Sequence, residues 1–293
     1  MAKFVPDVTT NRWIIIAEGR VKRPTDPSLR SGQVRVQKIC VFCSGNEKIP
    51  GEELYRVGSG EPYTPGWQVR VIKNKYPITD FHEVIIHSPD DVLDLDQLPI
   101  EQVHRVLLTF KARFSENAKN GHVLIFNNVG EAAGASINHP HSQLVVIPRQ
   151  INLDTLKLEP MTSVIEESSH FSVFCPEFSQ WPFETWIAPK ARNKLFGEIT
   201  AEEVIDLATV LQNTLRRLIT HLTGGGHFHP GVPAVVFKDG PNYNFYIHHD
   251  RDWYIRIIPR LIHRAGFELG TGVSVNIIDP ADAAAILKED IKD

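Results

Sequence analysis

The chain repeats itself, and the repeat limits the fold more than any other feature. EVIIHSPDDVLDLDQLPIEQV from Glu83 aligns without a gap on ETWIAPKARNKLFGEITAEEV from Glu184, so that Ile86 falls on Ile187, Leu95 on Phe196, Leu98 on Ile199, Glu101 on Glu202 and Val103 on Val204. A second pair follows in the same order: LVVIPRQ at 144–150 and IRIIPRL at 255–261, each a strand-like run closed by Pro-Arg. The second interval is longer, and the Gly- and Pro-rich THLTGGGHFHPGVP can absorb the excess. Two matches in the same order indicate duplication of one folding unit.

Each copy reads as a strand, a turn and a loop that ends at a helix start. Thr200 and Glu203 have capping-box spacing, and Val204, Leu207, Leu211, Leu215 and Leu218 follow in helical period. In the first copy Pro99 stands where a helix start tolerates proline, and Val103, Val106, Leu107 and Phe110 supply the apolar face. The order strand, strand, helix, strand, twice over and with extra elements at the ends, predicts an α+β fold with an antiparallel sheet and packed helices. The halves are expected at 1–155 and 156–293. No GxGxxG or Walker loop follows a strand, so neither dinucleotide-binding nor P-loop chemistry is indicated.

Composition narrows the partners. Over 293 residues the formal net charge is −4, so no basic footprint for nucleic acid or an anionic membrane exists. MAKFVPDVTTNRW has no apolar signal core, and no run of about 18 apolar residues occurs, so a cytoplasmic protein is expected. Cys40, Cys43 and Cys175 are too few for a disulfide framework.

Chemistry concentrates in NHPHSQLVVIPR at 138–149. Residues two apart in a strand share a face, so His139, His141 and Gln143 line one side. Two imidazoles there can divide labour, one binding metal and the other acting as nucleophile or base, although polar residues at a strand entrance also occur without function. FNNVGEAAGAS precedes them, with Gly130, Gly134 and Ala135 permitting close backbone approach and Asn128 and Ser136 supplying hydrogen bonds. CVFC has the knuckle spacing for tetrahedral zinc on Cys40 and Cys43, with His139 as a third ligand and Asp91, His82 or His87 as a fourth. A redox CxxC would need a strand-to-helix frame that GQVRVQKICVFC lacks. Arg20, Lys22 and Arg23, and Lys73, Asn74 and Lys75 ahead of Tyr76, can hold phosphate or sugar and stack a base.

The order GRVKRP, CVFC, RVIKNKYP, SPDD, FNNVGEAAGAS, HPHSQ, WPFET, PRLIHRAGFE resembles the galactose-1-phosphate uridylyltransferase family of the histidine-triad superfamily over nearly the whole chain. The resemblance implies two tandem histidine-triad-like halves and a ping-pong nucleotidyl transfer in which His141 attacks the α-phosphorus of a nucleoside diphosphate sugar. Sugar 1-phosphate leaves, and a second phosphate takes the nucleotide from the histidine. It further implies zinc on Cys40, Cys43 and His139, phosphoryl contacts from Gln143, Asn128 and Ser136, and substrate contacts from Arg20, Arg23, Asn74, Lys75 and Tyr76. A homodimer acting in galactose metabolism is implied as well.

Several positions depart from the family pattern. The fourth zinc ligand, often histidine, is Asp91 here, and the second metal site that some members build around the glutamate of WPFET faces Tyr254 and Arg256, so it is expected to be absent. Ser142 stands where the uridylyl branch usually has glycine, and Lys75 where an acidic residue is usual; HxHSQ is similar also to the ADP-glucose phosphorylase branch. The expected function is thus UDP-glucose:hexose-1-phosphate uridylyl transfer, or adenylyl transfer from ADP-glucose or adenylyl sulfate with phosphate as acceptor. Gln143 favours transfer over hydrolysis, because an amide cannot protonate a leaving group as histidine can.

Overall fold

The computed structural model describes residues 2–7, 12–22, 39–151, 153, 156, 158, 160–223, 236–237 and 240–289. An N-terminal hairpin, β1 (Lys3–Asp7) and β2 (Arg12–Ile16), forms a two-stranded sheet of its own and packs Phe4 and Trp13 against Val145, Ile147 and Ile151 beside one ten-stranded sheet. The first half supplies β3 (Glu53–Gly58), β4 (Trp67–Lys73) and β5 (His82–Ile86), then α1 (Ile100–Asn117), then β6 (His122–Val129) and β7 (His141–Ile147). The second supplies β8 (Val164–Glu167), β9 (Phe171–Phe174) and β10 (Thr185–Pro189), then α2 (Ala201–Leu222), then β11 (Tyr243–Ile247) and β12 (Ile255–Pro259). Two shorter helices, α3 (Gly266–Thr271) and α4 (Pro280–Lys288), follow.

The strand order is β3-β4-β5-β7-β6-β11-β12-β10-β9-β8, with every neighbouring pair antiparallel. Counted inward from either edge, each half presents its first, second, third, fifth and fourth strands, and the halves meet where β6 pairs with β11. The order expected from sequence is therefore short of two strands per half: three precede the helix and two follow it. β3 escapes a hydrophobic reading because it is an edge strand, ELYRVG, with no buried residue.

Both helices lie where their apolar faces require. Thr200 Oγ1 accepts from the Glu203 N–H at 3.1 Å and the Glu203 carboxylate accepts from the Thr200 N–H at 2.7 Å, closing the capping box ahead of α2. The expected faces of α1 and α2 are buried together against the sheet in one core. Leu95 and Phe196, Leu98 and Ile199, and Val103 and Val204 are all buried, so the repeat register holds through each helix and its approach. It slips in the strands. Ile187 packs in the helix-side core whereas Ile86 packs in a smaller cluster with Phe42, Trp67, Ile72 and Val84, and a one-residue shift is enough to exchange faces in a period-two element. A bidentate pair ties α1 to β5, with Arg113 donating to Glu83 at 2.6 and 2.9 Å and Asn117 donating to the same carboxylate.

Candidate active site and metal-binding group

β7 divides its side chains between the two faces of the sheet. Register pairs Gln143 with Val84 and Phe126, and Ser142 with Ile85 and Asn127. Leu144 joins the helix-side core, whereas His141 and Gln143 line a cavity on the other face with Phe42, Ile72, Val84, Lys73, Asn74, Lys75, Tyr76 and Ser136. The loop from β6 to β7 contributes Ser136 to this cavity and begins at Gly130, whose φ of 81° and close approach to the Pro241 carbonyl, 2.7 Å from an added Cβ, leave no room for a side chain.

Beside the cavity, Cys40, Cys43 and His139 bring their ligand atoms within 4.8 Å of one another and form a possible metal-binding group. His139 Nδ1 lies 3.4 Å from Cys40 Sγ and 3.6 Å from Cys43 Sγ, and Asp91 Oδ2 lies 3.4 Å from Cys43 Sγ. Burial raises the Cys40 thiol, but hydrogen bonds from His139 and Cys43 outweigh it and lower the pKa; burial and then the neighbouring Cys40 push Cys43 well up. The other two candidate fourth ligands are engaged elsewhere. His82 contacts Gln143, Asn74 and Ile78, and His87 Nε2 contacts Ser142 Oγ at 2.8 Å.

His141 sits at the junction of cavity and metal-binding group. Its Nδ1 donates to the His139 carbonyl at 2.8 Å, which places the lone pair of the neutral ring on Nε2. Phe42, between the two cysteines, presents a ring edge to His141 at 5.3 Å and to His139 at 6.1 Å. Continuing the register Asn127↔Ser142 puts Asn128 opposite His141; its Oδ1 accepts from Asn244 Nδ2 at 2.7 Å, and Asn244 also donates to the Ala133 carbonyl. Arg20 donates to the Tyr76 carbonyl at 2.8 Å and so lies at the cavity rim. Arg23 lies outside the described residues.

Residues 81–146, which hold β5, α1, β6 and the HPHSQ start of β7, match the family model described as galactose-1-phosphate uridyl transferase, N-terminal domain. ADP-glucose phosphorylase of Arabidopsis thaliana is 30% identical, over 97% of this chain and 91% of the relative. The chain belongs to the galactose-1-phosphate uridylyltransferase family. Within that family, galactose-1-phosphate uridylyltransferase of Thermotoga maritima is 22% identical over 96% of each chain. The crystal structure of the Arabidopsis ADP-glucose phosphorylase with bound ADP-glucose superposes with a TM-score of 0.72 at 27% identity, covering all of both chains.

In the second half, Glu184 of WPFET is engaged by its neighbours. Arg256 donates to both of its carboxylate oxygens, at 2.7 and 2.8 Å, and Trp186 Nε1 and the Gln180 N–H add 2.8 and 2.9 Å bonds. Burial works against the Arg256 charge, but Glu184 outweighs it and raises the guanidinium pKa. Tyr254, the other departing position, stacks between Trp186 and His248 with ring centroids at 4.0 and 4.7 Å.

Two site residues were not given these roles by sequence. Phe42 reads as filler between two cysteines, and only its contact with both histidines gives it a part. His82 reads as a spare metal ligand; the available clue was strand alternation in FHEVII, which puts His82 on the face of Val84 and hence of Gln143.

Proposed function

We propose that this chain is a nucleotidyltransferase working by double displacement, with UDP-glucose:hexose-1-phosphate (galactose-1-phosphate) uridylyl transfer as its reaction. The observation that carries the reading is the bond from His141 Nδ1 to the His139 carbonyl beside a cavity edged by Lys73, Asn74 and Lys75. With Nδ1 held, Nε2 attacks the α-phosphorus, a P–N bond forms, and the P–O bond to the sugar 1-phosphate breaks with its electrons on the departing oxygen. As the ring gains charge, the His139 carbonyl stabilises the Nδ1 proton. Gln143 and Ser136 donate to the phosphoryl oxygens, Asn128 braces the loop that carries Ser136, and Arg20 with Asn74, Lys75 and Tyr76 holds the nucleotide side. The acceptor phosphate then attacks the same phosphorus and restores His141.

Zinc fits the neighbouring donors. Tetrahedral Zn–S and Zn–N bonds of about 2.3 and 2.0 Å give ligand-to-ligand edges of about 3.5 Å, which the His139 to cysteine separations of 3.4 and 3.6 Å match. Cys40, Cys43, His139 and Asp91 would hold one ion, whose chemistry is structural: it braces the strand that presents His141. Exposed Phe267, Leu269, Val273, Val275 and Ile277 support a homodimer, since a surface strip of that kind needs cover. Among the described residues no helix is long and apolar enough to cross a membrane, and paired thiolates suit the reducing cytoplasm. The two halves, 1–155 and 156–293, descend from one unit of which only the first keeps the HPH chemistry.

The 30% identity to an ADP-glucose phosphorylase favours a second reading, adenylyl transfer from ADP-glucose or adenylyl sulfate to phosphate. One experiment tests both: incubation with UDP-glucose or ADP-glucose, then intact mass of wild type and His141→Ala. Wild type should carry one nucleotidyl group from one donor and the variant none. Labelling by neither donor overturns the nucleotidyl-histidine mechanism.

A further inference from the structure

The backbone N–H of Ile78 donates to His82 Nδ1 at 2.9 Å. A main-chain amide has one role, so the neutral His82 ring carries its proton on Nε2. Two side chains approach that nitrogen: Gln143 Oε1 at 3.0 Å and Asn74 Nδ2 at 3.1 Å. Asn74 uses its own oxygen to accept from the Tyr76 N–H at 2.8 Å, so it turns its NH2 group toward His82. Of the two, Gln143 alone offers an acceptor to the His82 proton. Its amide orientation follows: oxygen to His82, NH2 as the donor that the side chain presents beside His141.

We infer that His82 is a positioning residue for the transfer reaction, acting through Gln143 by fixing which end of the amide faces the phosphoryl group. The inference rests on the nucleotidyltransferase reading above. A reversed amide would offer a carbonyl oxygen to a phosphoryl oxygen, acceptor against acceptor, and repel what it now binds. His82 is 2% exposed, and the strand partner of Val84 is Gln143, so the contact is built into β5 and β7 rather than into a loop. The bland alternative is that His82 only ties the 74–78 turn to β5 through Ile78.

A double-mutant cycle on the full chain separates the two, read as the rate of nucleotidyl-enzyme formation from whichever of UDP-glucose and ADP-glucose labels the wild type. His82→Leu and Gln143→Ala should each slow labelling by about 10- to 100-fold. In the Gln143→Ala background, His82→Leu should change the rate by no more than about twofold. Equal losses in both backgrounds would overturn the positioning role while leaving the transferase reading intact; a wild type labelled by neither donor overturns both. Should His82→Leu fail to fold, His82→Gln and His82→Asn decide. Gln places an NH2 where Nε2 stood and should retain most of the rate, Asn falls short and should lose it, and equal rates would sink the idea.

Discussion

His139 and Ser88 are joined by a 2.8 Å bond from the imidazole Nε2 to the backbone carbonyl, and that bond decides which ring nitrogen faces the cysteines. With Nε2–H committed, a neutral ring turns the Nδ1 lone pair toward Cys40 and Cys43, whereas the Nδ1–H that lowers the Cys40 thiol belongs to the protonated ring. A carbonyl on the far nitrogen is the usual way to fix the tautomer of a metal-binding histidine and to raise its basicity. Because Ser88 belongs to the SPDD turn that also carries Asp91, one segment both orients the third ligand and offers the fourth.

The first prediction concerns that metal. Purified protein should contain about one zinc per chain, and stripping it with a chelator should lower Tm by about 10 °C or more, because binding to a folded-only site is folding free energy. His139→Ala should bind less than wild type under the same dialysis. Near-zero metal in a protein of unchanged Tm would remove the assignment. Elemental analysis and calorimetry on matched samples suffice.

Ser142 should not choose the base. Its side chain is fully buried on the helix-side face, with its hydroxyl 2.8 Å from His87 Nε2 and 3.3 Å from Asn127 Nδ2, away from the cavity. Ser142→Gly is therefore expected to leave the ratio of UDP-glucose to ADP-glucose labelling within about twofold and to cost about 1–2 kcal/mol of stability, from a lost buried hydrogen bond and a freer backbone. A switch of donor in Ser142→Gly would show that helix-side packing reaches the base pocket.

The same residue shows where sequence reading stops. A period-two pattern tells which side chains share a face, so His139, His141 and Gln143 could be grouped and the helix faces of α1 and α2 named in advance. It cannot tell which face holds the cavity, and Ser142 draws suspicion from sequence because it stands where the uridylyl branch usually has glycine. The repeat made two like halves legible, and the strand order bears that out in a sheet whose halves run in the same order from either edge. Strand register was beyond it, since one residue of slip moves Ile86 from the helix-side core to the cluster on the other face without altering the hydrophobic count. His82 was visible as a residue and invisible as a contact, because its partner lies 61 positions away and its tautomer depends on the Ile78 amide.

The Glu184–Arg256 pair should behave as a buried ion pair does. Glu184 is fully buried and Arg256 nearly so. Arg256→Met leaves a carboxylate with two donors and no countercharge, and it should cost about 3–5 kcal/mol in denaturant unfolding. The double variant Glu184→Gln, Arg256→Met removes both charges and should recover most of that loss. If the double variant is less stable than Arg256→Met, the pair contributes through shape rather than charge.

Acid should act through Glu53. Burial opposes its charge, yet hydrogen bonds from Arg56 and Arg70 outweigh burial and hold its pKa down at about 2, with Arg70 Nε 2.7 Å from Oε2. Arg70 is fully buried and also donates to the Glu47 carbonyl at 2.6 Å, so this carboxylate helps tie the segment after the cysteines to β4. A folded pKa below the unfolded value of about 4.3 means that the stabilisation is complete above that value and is lost as pH falls toward 2, about 3 kcal/mol across the window. Glu53→Gln should be destabilised at pH 7 by a similar amount, because the Arg70 charge is then left buried without its partner. Urea unfolding of both proteins at pH 7 and pH 2.5 checks this: the gap between them should narrow at the lower pH, and a gap that stays constant would place the acid sensitivity elsewhere.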